Sequence, residues 1–208
     1  MKFINVAMWM LMMTSGVWAQ GIAPPLAEYR GSKVDGMFEV QNSTNYTMVT
    51  LLEVKSFRVD GKGQVHYGAL DRNVQVSLGA SSFIVRPHDR RMVFYKALVA
   101  DPPSSFAIIA TMTKAGSVPG MRLNFVLPHI VYVYQKEKLR RGDVRVEDSG
   151  GVVRIENTSK KMGRVMSVQG RGKKTGGFPL YPDQTREVAM AGDRITVRFE
   201  DGFKIDVK

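Results

Sequence analysis

The side chains that most often do chemistry are scarce in this sequence. It contains no cysteine, which excludes thiol nucleophiles and cysteine-ligated metal centres. Its three histidines, His66, His88 and His129, are far apart in the chain, and none lies in an H-E-x-x-H zinc motif. Neither a G-x-S-x-G nor an S-x-x-K nucleophile motif occurs in a fitting context. The sequence therefore predicts no catalytic residue, no metal site and no cofactor, and we expect a protein that is not an enzyme.

Two short segments that could be taken for functional motifs are better explained as turns. His88 and Asp89 adjoin in RPHDRR as a possible base and its partner, but no nucleophile accompanies them. The glycine-rich segment 170–177, GRGKKTGG, has neither the spacing of a phosphate-binding P-loop nor a following helix. We interpret the first as a turn before a strand and the second as a solvated hairpin tip.

The first twenty residues, MKFINVAMWMLMMTSGVWAQ, have the pattern of a secretory signal peptide. Lys2 precedes a compact apolar stretch, and small residues at Val17 and Ala19 occupy the positions that a signal peptidase reads, which predicts cleavage after Ala19. The apolar stretch is shorter than the roughly 20 residues of a membrane-spanning helix. Secretion without cysteine favours a bacterial periplasm, so we expect a periplasmic protein with no stable membrane insertion.

The chain is strongly basic, with 30 Lys and Arg against 19 Asp and Glu and a formal net charge of +11 at pH 7. Such a balance is typical of proteins that bind nucleic acid, an anionic surface or an acidic partner. Nucleic acid is disfavoured as a partner in the periplasm. We therefore expect acidic protein partners or acidic clients, and no nucleic acid.

Strand signals dominate the chain, and no segment of 12 residues has a helical apolar stripe. Segments rich in β-branched and aromatic residues, each bounded by turn residues, lie at 37–42, 47–60, 74–79, 81–87, 91–98, 105–114 and 121–135. The charged segment QKEKLRRGD at 135–143 follows. The pattern then restarts at 143–148, 152–157, 164–170, 186–190, 193–201 and 203–208, with Val144, Val146, Val153 and Ile155 on one face.

Regular short strands separated by turns predict an all-β protein of two β-sandwiches in series. We predict a signal peptide at 1–19, a first domain at 20–136, a linker at 137–142 and a smaller second domain at 143–208. A domain of the second one's size has a marginal core, so we expect it to pack against the first.

The segment 121–135, MRLNFVLPHIVYVYQ, poses a problem of solubility. Leu123, Phe125 and Leu127 share one face of the predicted strand, and Pro128 cannot donate to a ladder. The strand should therefore lie at a sheet edge, or the proline at a bulge or a switch between sheets. A long apolar edge strand is an aggregation hazard. Either loops or the second domain cover it, or its open edge completes a partner sheet that lacks a strand.

Several motifs follow one another in a fixed order along the two predicted domains. The first domain contains F-x-V-x-N-x-[ST] at 38–44 and an apolar strand that ends in FRVDGKG at 57–63. SSFIVRPHDRRMV at 81–93 and the strand at 121–135 follow, and the second domain has VVRIENTSKKMGRV at 152–165. This series resembles that of the periplasmic pilus-assembly chaperones of the PapD-like, chaperone–usher family. The resemblance covers nearly the whole chain after the signal segment, and it depends on the order of the motifs. LPHIVYVY at 127–134 is more similar to the archaic or alternate branch.

The resemblance implies two immunoglobulin-like domains set at an angle, with pilus subunits bound in and beside the cleft. It implies that the last strand of the first domain completes the unfinished sandwich of the subunit, and that the complex goes to an outer-membrane usher. On this sequence it makes Leu123, Phe125 and Leu127 the donor side chains. Arg122 and Asn124 would then face away from the subunit.

This sequence departs from the family pattern at the pair of basic residues that holds the subunit's terminal carboxylate. The positions that correspond fall at Pro25-Leu26 and Val131-Tyr132, and none of these residues is basic. Arg30, Arg86 and Arg91 are candidate anchors instead, because a guanidinium binds a carboxylate with two parallel hydrogen bonds. For each of them an ordinary exposed charge at a strand end is the alternative.

The absence of that pair leaves a second interpretation open, an immunoglobulin-like structural component of a pilus or an adhesin. Such a subunit should lack a strand itself or carry an N-terminal donor arm. The stretch QGIAPPLAEYRG at 20–31 has no long alternating apolar pattern, which speaks against a donor arm.

Overall fold

The computed structural model describes residues 21–116 and 124–207, so the predicted signal peptide and Leu123 lie outside the described residues. In this part of the chain the structure is all β apart from one 3₁₀ turn at Arg141–Asp143. The first set of strands is β1 Gly21–Ala23, β2 Leu26–Arg30, β3 Lys33–Gln41, β4 Met48–Val59, β5 Val65–Gly68, β6 Val74–Leu78, β7 Ser82–Val85, β8 Arg90–Val99, β9 Ser104–Lys114 and β10 Asn124–Tyr134. The second set is β11 Val144–Asp148, β12 Val152–Asn157, β13 Gly163–Gly170, β14 Lys173–Lys174, β15 Phe178–Leu180, β16 Thr185–Ala189, β17 Ile195–Phe199 and β18 Lys204–Val207.

The first set forms an immunoglobulin-like sandwich. One sheet has the order β1-β3-β8-β6, and the other has the order β2-β10-β9-β4-β5 with β7 paired to β4. Alternate residues of each strand point into the core, as in β8, where Val93, Tyr95, Ala97 and Val99 are buried and the residues between them are exposed. β9 differs because it is buried on both faces from Ser104 to Ala110.

The first two described strands contribute to different sheets of this sandwich. β1 pairs antiparallel with β3, whereas β2 pairs parallel with β10. Pro24 and Pro25 lie between β1 and β2, and neither has a backbone N–H to donate to a ladder. The two prolines therefore mark the place where the chain leaves one ladder and joins the other.

The second set forms a smaller sandwich from the sheets β11-β12-β16 and β14-β13-β17-β18, with β15 paired to β13. Val144, Val153 and Ile155 are buried in its core and Val146 packs against it, which confirms the predicted inward face. Leu139, from the charged segment between the two sets of strands, is also buried in this core. That segment is therefore partly packed and is not wholly solvated.

Each sandwich has a buried asparagine at an equivalent position, and its side chain closes a loop. Asn42 and Asn157 directly follow or end an inward-alternating strand, and both are fully buried. Asn157 Nδ2 donates to the carbonyl oxygens of Lys161 and Tyr181 at 2.6 and 2.9 Å, and Ser159 Oγ donates to Asn157 Oδ1 at 2.8 Å. Asn42 makes the same kinds of bond to the loop that follows it and to a second segment. The N-x-[ST] motifs are thus turn elements that join two parts of each sandwich.

A buried polar network ties β10 to the segment between β1 and β2. His129 is fully buried, its Nε2 lies 3.0 Å from Tyr95 Oη and its Nδ1 lies 2.7 Å from the carbonyl oxygen of Pro24. Since a carbonyl can only accept, Nδ1 carries the proton, and Nε2 of the neutral ring accepts from Tyr95. Gly36, opposite Tyr95, leaves the room that this tyrosine ring occupies. Burial lowers the pKa of His129 below its usual 6.5, only partly offset by the bond to Pro24.

The repeated asparagine generates a prediction of stability. We expect Asn157→Ala to lower the free energy of unfolding by about 2–3 kcal/mol, because several buried carbonyl and hydroxyl groups lose their partner. Urea unfolding measures the change, and Gln169→Ala, at an exposed position of β13, should change stability by less than about 0.5 kcal/mol. Equal effects of the two substitutions would contradict the assigned role.

The buried histidine generates a prediction of pH dependence. Because its pKa is lowered in the folded state, the unfolded chain binds more protons below pH 6.5, and the stabilisation is lost as pH falls through that value. His129→Gln keeps a donor and an acceptor but does not titrate. Between about pH 7.5 and pH 5 we expect wild type to lose more free energy of unfolding than the variant, by up to ~1.4 kcal/mol per pH unit. Parallel urea titrations that give the same pH slope for both proteins would refute this.

Candidate functional site

The last strand of the first sandwich is paired differently along its two halves. β10 pairs antiparallel with β9 from Asn124 to Val133. On its other edge, Ile130 to Tyr134 pair with β2. Within the described residues no strand pairs with that other edge at 124–129. As predicted for a strand that contains a proline, Pro128 lies in the half with one open edge.

The open edge offers backbone groups to a further strand. Ile130 N–H donates to the carbonyl oxygen of Pro25 at 2.9 Å, so it points away from β9. Backbone groups two residues apart point the same way, which directs those of Asn124 and Val126 to the open edge. Pro128 has the same phase but no N–H. The edge can therefore pair with a partner strand at 124 and 126, and the row of backbone N–H donors on this edge is interrupted at Pro128.

The side chains of this half alternate as predicted. Phe125 and Leu127 are half-buried and pack against the core of the first sandwich. Val126, on the opposite face, is 61% exposed. Asn124 is exposed, and its Oδ1 accepts from Thr113 Oγ1 at 3.0 Å. Phe125 and Leu127 thus form an apolar row on the core face beside an unpaired edge; their role as donor side chains, like that of Leu123, stays a prediction.

The other half of β10 is held between the two sandwiches. Tyr132 and Tyr134 are buried in a cluster with Phe57, Ile109 and, from the second sandwich, Met162. Burial raises the pKa of both tyrosines far above the usual value. Packing and hydrogen bonds of this half fix the strand, while its first half stays open on one edge.

A carboxylate on β2 links the two sandwiches at the same place. Arg164 of β13 donates to Glu28 Oε1 at 2.6 Å, and Tyr134 Oη donates to the same oxygen at 3.1 Å. Gln184 Nε2 donates to the carbonyl oxygen of Val59 at 2.6 Å, which adds a second link. The second sandwich therefore packs against the first, as expected, and its side chains contact the second half of β10 and the adjoining β2.

The three arginines predicted as carboxylate anchors are not brought together. Arg30 ends β2 opposite Tyr134, and its guanidinium lies 5.2 Å from the centre of that ring and 3.8 Å from the carboxylates of Glu200 and Asp201. Arg86 is exposed after β7, and Arg91 is exposed in β8. The anchor assignment stays a prediction for all three.

Sequence reasoning missed the residues that hold β10 in place. The sequence draws attention to His129 only as a possible catalytic or metal-binding side chain, yet it shares the inward phase of Phe125 and Leu127, which is a signal of burial. Glu28 and Arg164 carry no such signal, because their pairing joins residues 136 positions apart. No group of three or more His, Asp or Glu in the described residues is placed to bind a metal. That part of the chain also holds no helix of membrane-spanning length and apolarity.

Comparison with known proteins gives a match at the level of fold. No family model and no curated protein matches the sequence. Among solved structures, the SafB chaperone in complex with the Salmonella enterica SafA pilin has a TM-score of 0.61 at 14% identity, covering 91% of this chain and 95% of that one. The Escherichia coli chaperone DraB has a TM-score of 0.58 at 13% identity, covering 91% and 96%.

A third match comes from an archaic system. The CsuC–CsuE chaperone–tip subunit complex of Acinetobacter baumannii has a TM-score of 0.56 at 13% identity, covering 90% of this chain and 97% of that one. The TM-scores of these three structures are similar to one another, so the assignment of this chain to the archaic branch stays a prediction. The matches span both sandwiches in each case. This chain therefore has the two-domain immunoglobulin-like fold of the chaperone–usher pilus chaperones, as the sequence resemblance predicted.

Proposed function

We propose that this protein is a periplasmic chaperone that captures pilus subunits by lending them a strand and delivers them to an outer-membrane usher. The single observation that carries the proposal is the half-open strand β10. Its first half has an unpaired edge, and Phe125 and Leu127 line the core face beside that edge. A subunit sheet that lacks a strand would pair with the backbone of 124 and 126 and bury these two side chains.

The energetics of such capture need neither cofactor nor catalysis. Full burial of a large apolar side chain contributes roughly 1.5–3 kcal/mol, and each of the two side chains is already half-buried, so each gains part of that amount. Leu123, directly before the described part of β10, would add a third. The strand is held by β9 along nearly its whole length, which reduces the entropy lost on pairing. Apolar burial and edge hydrogen bonds then supply the driving force.

The described contacts favour a chaperone over a structural pilus component. A subunit would need a missing strand of its own or a free donor arm. Residues 21–23 and 26–30 pair within the chain's own two sheets, so they do not form such an arm. In contrast, β10 belongs to the chain's own sheet and can also pair with a strand of a partner along its open edge.

Charge on the donor face should prevent subunit capture. We expect Phe125→Glu to abolish co-purification of a pilus subunit co-expressed in the periplasm, because a carboxylate cannot enter an apolar groove without a partner. Val126→Glu is the matched control, since Val126 faces the other way and should retain capture. Leu123→Glu should act like Phe125→Glu.

Thermal unfolding separates loss of capture from loss of folding. If Phe125→Glu unfolds, Phe125→Ala should still fold and weaken capture by about tenfold. Retained capture by a folded Phe125→Glu, or equal loss in Val126→Glu, would rule out the donor-strand assignment.

Among the candidate anchors we propose Arg30, because it adjoins β10 and faces the second sandwich. Arg30→Ala should weaken subunit binding, whereas Arg86→Ala and Arg91→Ala should bind as wild type. A subunit whose terminal carboxylate is converted to an amide should lose affinity for wild type but not for Arg30→Ala, because the partner of the carboxylate is then already gone. Unchanged binding by Arg30→Ala, together with normal binding of the amidated subunit, would eliminate the anchor.

A further inference from the structure

The second sandwich carries an excess of positive charge on one face that the proposed capture of subunits does not use. We define the basic face as the outer surface of the sheet β14-β13-β17-β18 and the turn before β14. It contains a cavity of about 420 Å³ lined by Arg171, Arg194, Arg198 and Lys204, together with Thr196. Four cations around one small cavity repel one another, which costs stability unless an anion offsets them.

The chain itself supplies one carboxylate to this face. Asp206 accepts from Thr196 Oγ1 at 2.7 Å and from Arg194 at 3.0 Å, and it lies 4.0 Å from Lys204 Nζ. Both of its oxygens are thus engaged. Arg171 and Arg198 have no ion pair among the described residues, and the same holds for Lys173 and Lys174 of β14. The cavity therefore keeps two guanidinium groups available for an external anion.

The backbone at Arg171 is unfavourable for an arginine. Its φ is +33°, in the left-handed region that glycine adopts more readily, and a true glycine, Gly172, follows it. Positive φ at both Arg171 and Gly172 is what the two-residue hairpin turn between β13 and β14 requires. The turn fixes the backbone of Arg171 and places its charge at the cavity. The segment 170–177, interpreted above as a solvated hairpin tip, here borders a site.

The spacing of the cations fits an extended chain of carboxylates. Arg198 and Lys204 are paired across β17 and β18, and Lys174 lies opposite Gln169 on the other side of β13. Neighbouring strands are about 4.8 Å apart, so the positive side chains stand roughly 5–15 Å apart across the sheet. Alternate side chains of an extended peptide repeat at about 7 Å. Guanidinium groups bind carboxylates with two parallel bonds.

Nothing in the lining suits insertion into a lipid surface. The lining side chains are charged or polar, and the rest of the cavity wall is glycine backbone. Surfaces that insert into membranes carry large apolar or aromatic side chains beside their cations. The composition therefore favours a protein partner over a membrane.

We infer that the basic face is a docking site for an extended acidic segment of a partner protein, one rich in Asp and Glu. It lies at the end of β13 opposite to Arg164, the residue that contacts Glu28, about 20 Å away at the rise of a strand. Such a partner can bind while β10 is occupied. The site is independent of the proposed subunit capture, and each can be tested without the other.

Fluorescence anisotropy with a labelled octapeptide of alternating Glu and Ser tests the site on the full chain without its signal segment. We expect binding at about 50 mM salt that weakens at about 150 mM, and no binding of the matching Gln-Ser peptide. Arg171→Glu/Arg198→Glu should weaken binding about tenfold or more. Lys33→Glu/Arg72→Glu changes the net charge equally at exposed, unpaired cations of the first sandwich and should weaken it less than about threefold.

Each of the following results would overturn the inference. One is an equal loss in the two charge-matched variants, which would mean attraction by net charge alone. Another is equal binding of the Gln-Ser peptide. The third is that wild type does not bind the peptide but sediments with vesicles containing phosphatidylglycerol, and that the double variant does not sediment with them. This result would make the partner a membrane. If the double variant does not fold, Arg198→Gln, which removes one cation without adding an anion, should weaken peptide binding about threefold, and no change would also overturn it.

Discussion

A β-strand leaves backbone donors and acceptors unpaired wherever a neighbouring strand is missing. In β10 this holds for the first half of one edge, at 124–129, although β2 pairs with the rest of that same edge. The antiparallel partner β9 holds nearly the whole strand, and β2 seals only the last five residues. The two prolines after β1 and the packing of Tyr132 and Tyr134 fix the sealed half. The network around His129 holds the end of the open half that adjoins it. The remaining half is kept straight by its neighbour and yet stays accessible, which is the combination that a lent strand requires.

Fold class and the position of this strand could be predicted from the sequence because both depend on local patterns. Alternation in 144–155 predicted the inward face of the second sandwich. Pro128 predicted an edge, a bulge or a switch between sheets, and β10 has an open edge only along 124–129 because Ile130 to Tyr134 pair with β2. The short strands β1, β2 and β5 escaped prediction, since GIA, LAEYR and VHYG contain few β-branched residues and are largely exposed. Their strand form comes from pairing with distant segments, which no local window contains.

The interactions that orient the sandwiches could not be predicted for the same physical reason. Glu28 and Arg164 are polar residues in polar-looking segments, and their pairing depends on how two sheets meet. The charged segment 135–143 looked like a free linker, but Leu139 is buried in the second core and its N–H donates to Asp201 at 3.0 Å. A single leucine among charged residues does not predict burial from the sequence, yet in the structure Leu139 anchors this segment to the second core.

The two-sided burial of β9 bears on whether the halves of this protein are separable. One face of β9 contributes Phe106, Ile108 and Met112 to the first core, and the other places Ala107 and Ile109 against Met162 of the second sandwich. Cutting the chain after residue 136 would bare that second face to water. The two sandwiches therefore share a buried apolar contact, and separating them would expose apolar surface on the first.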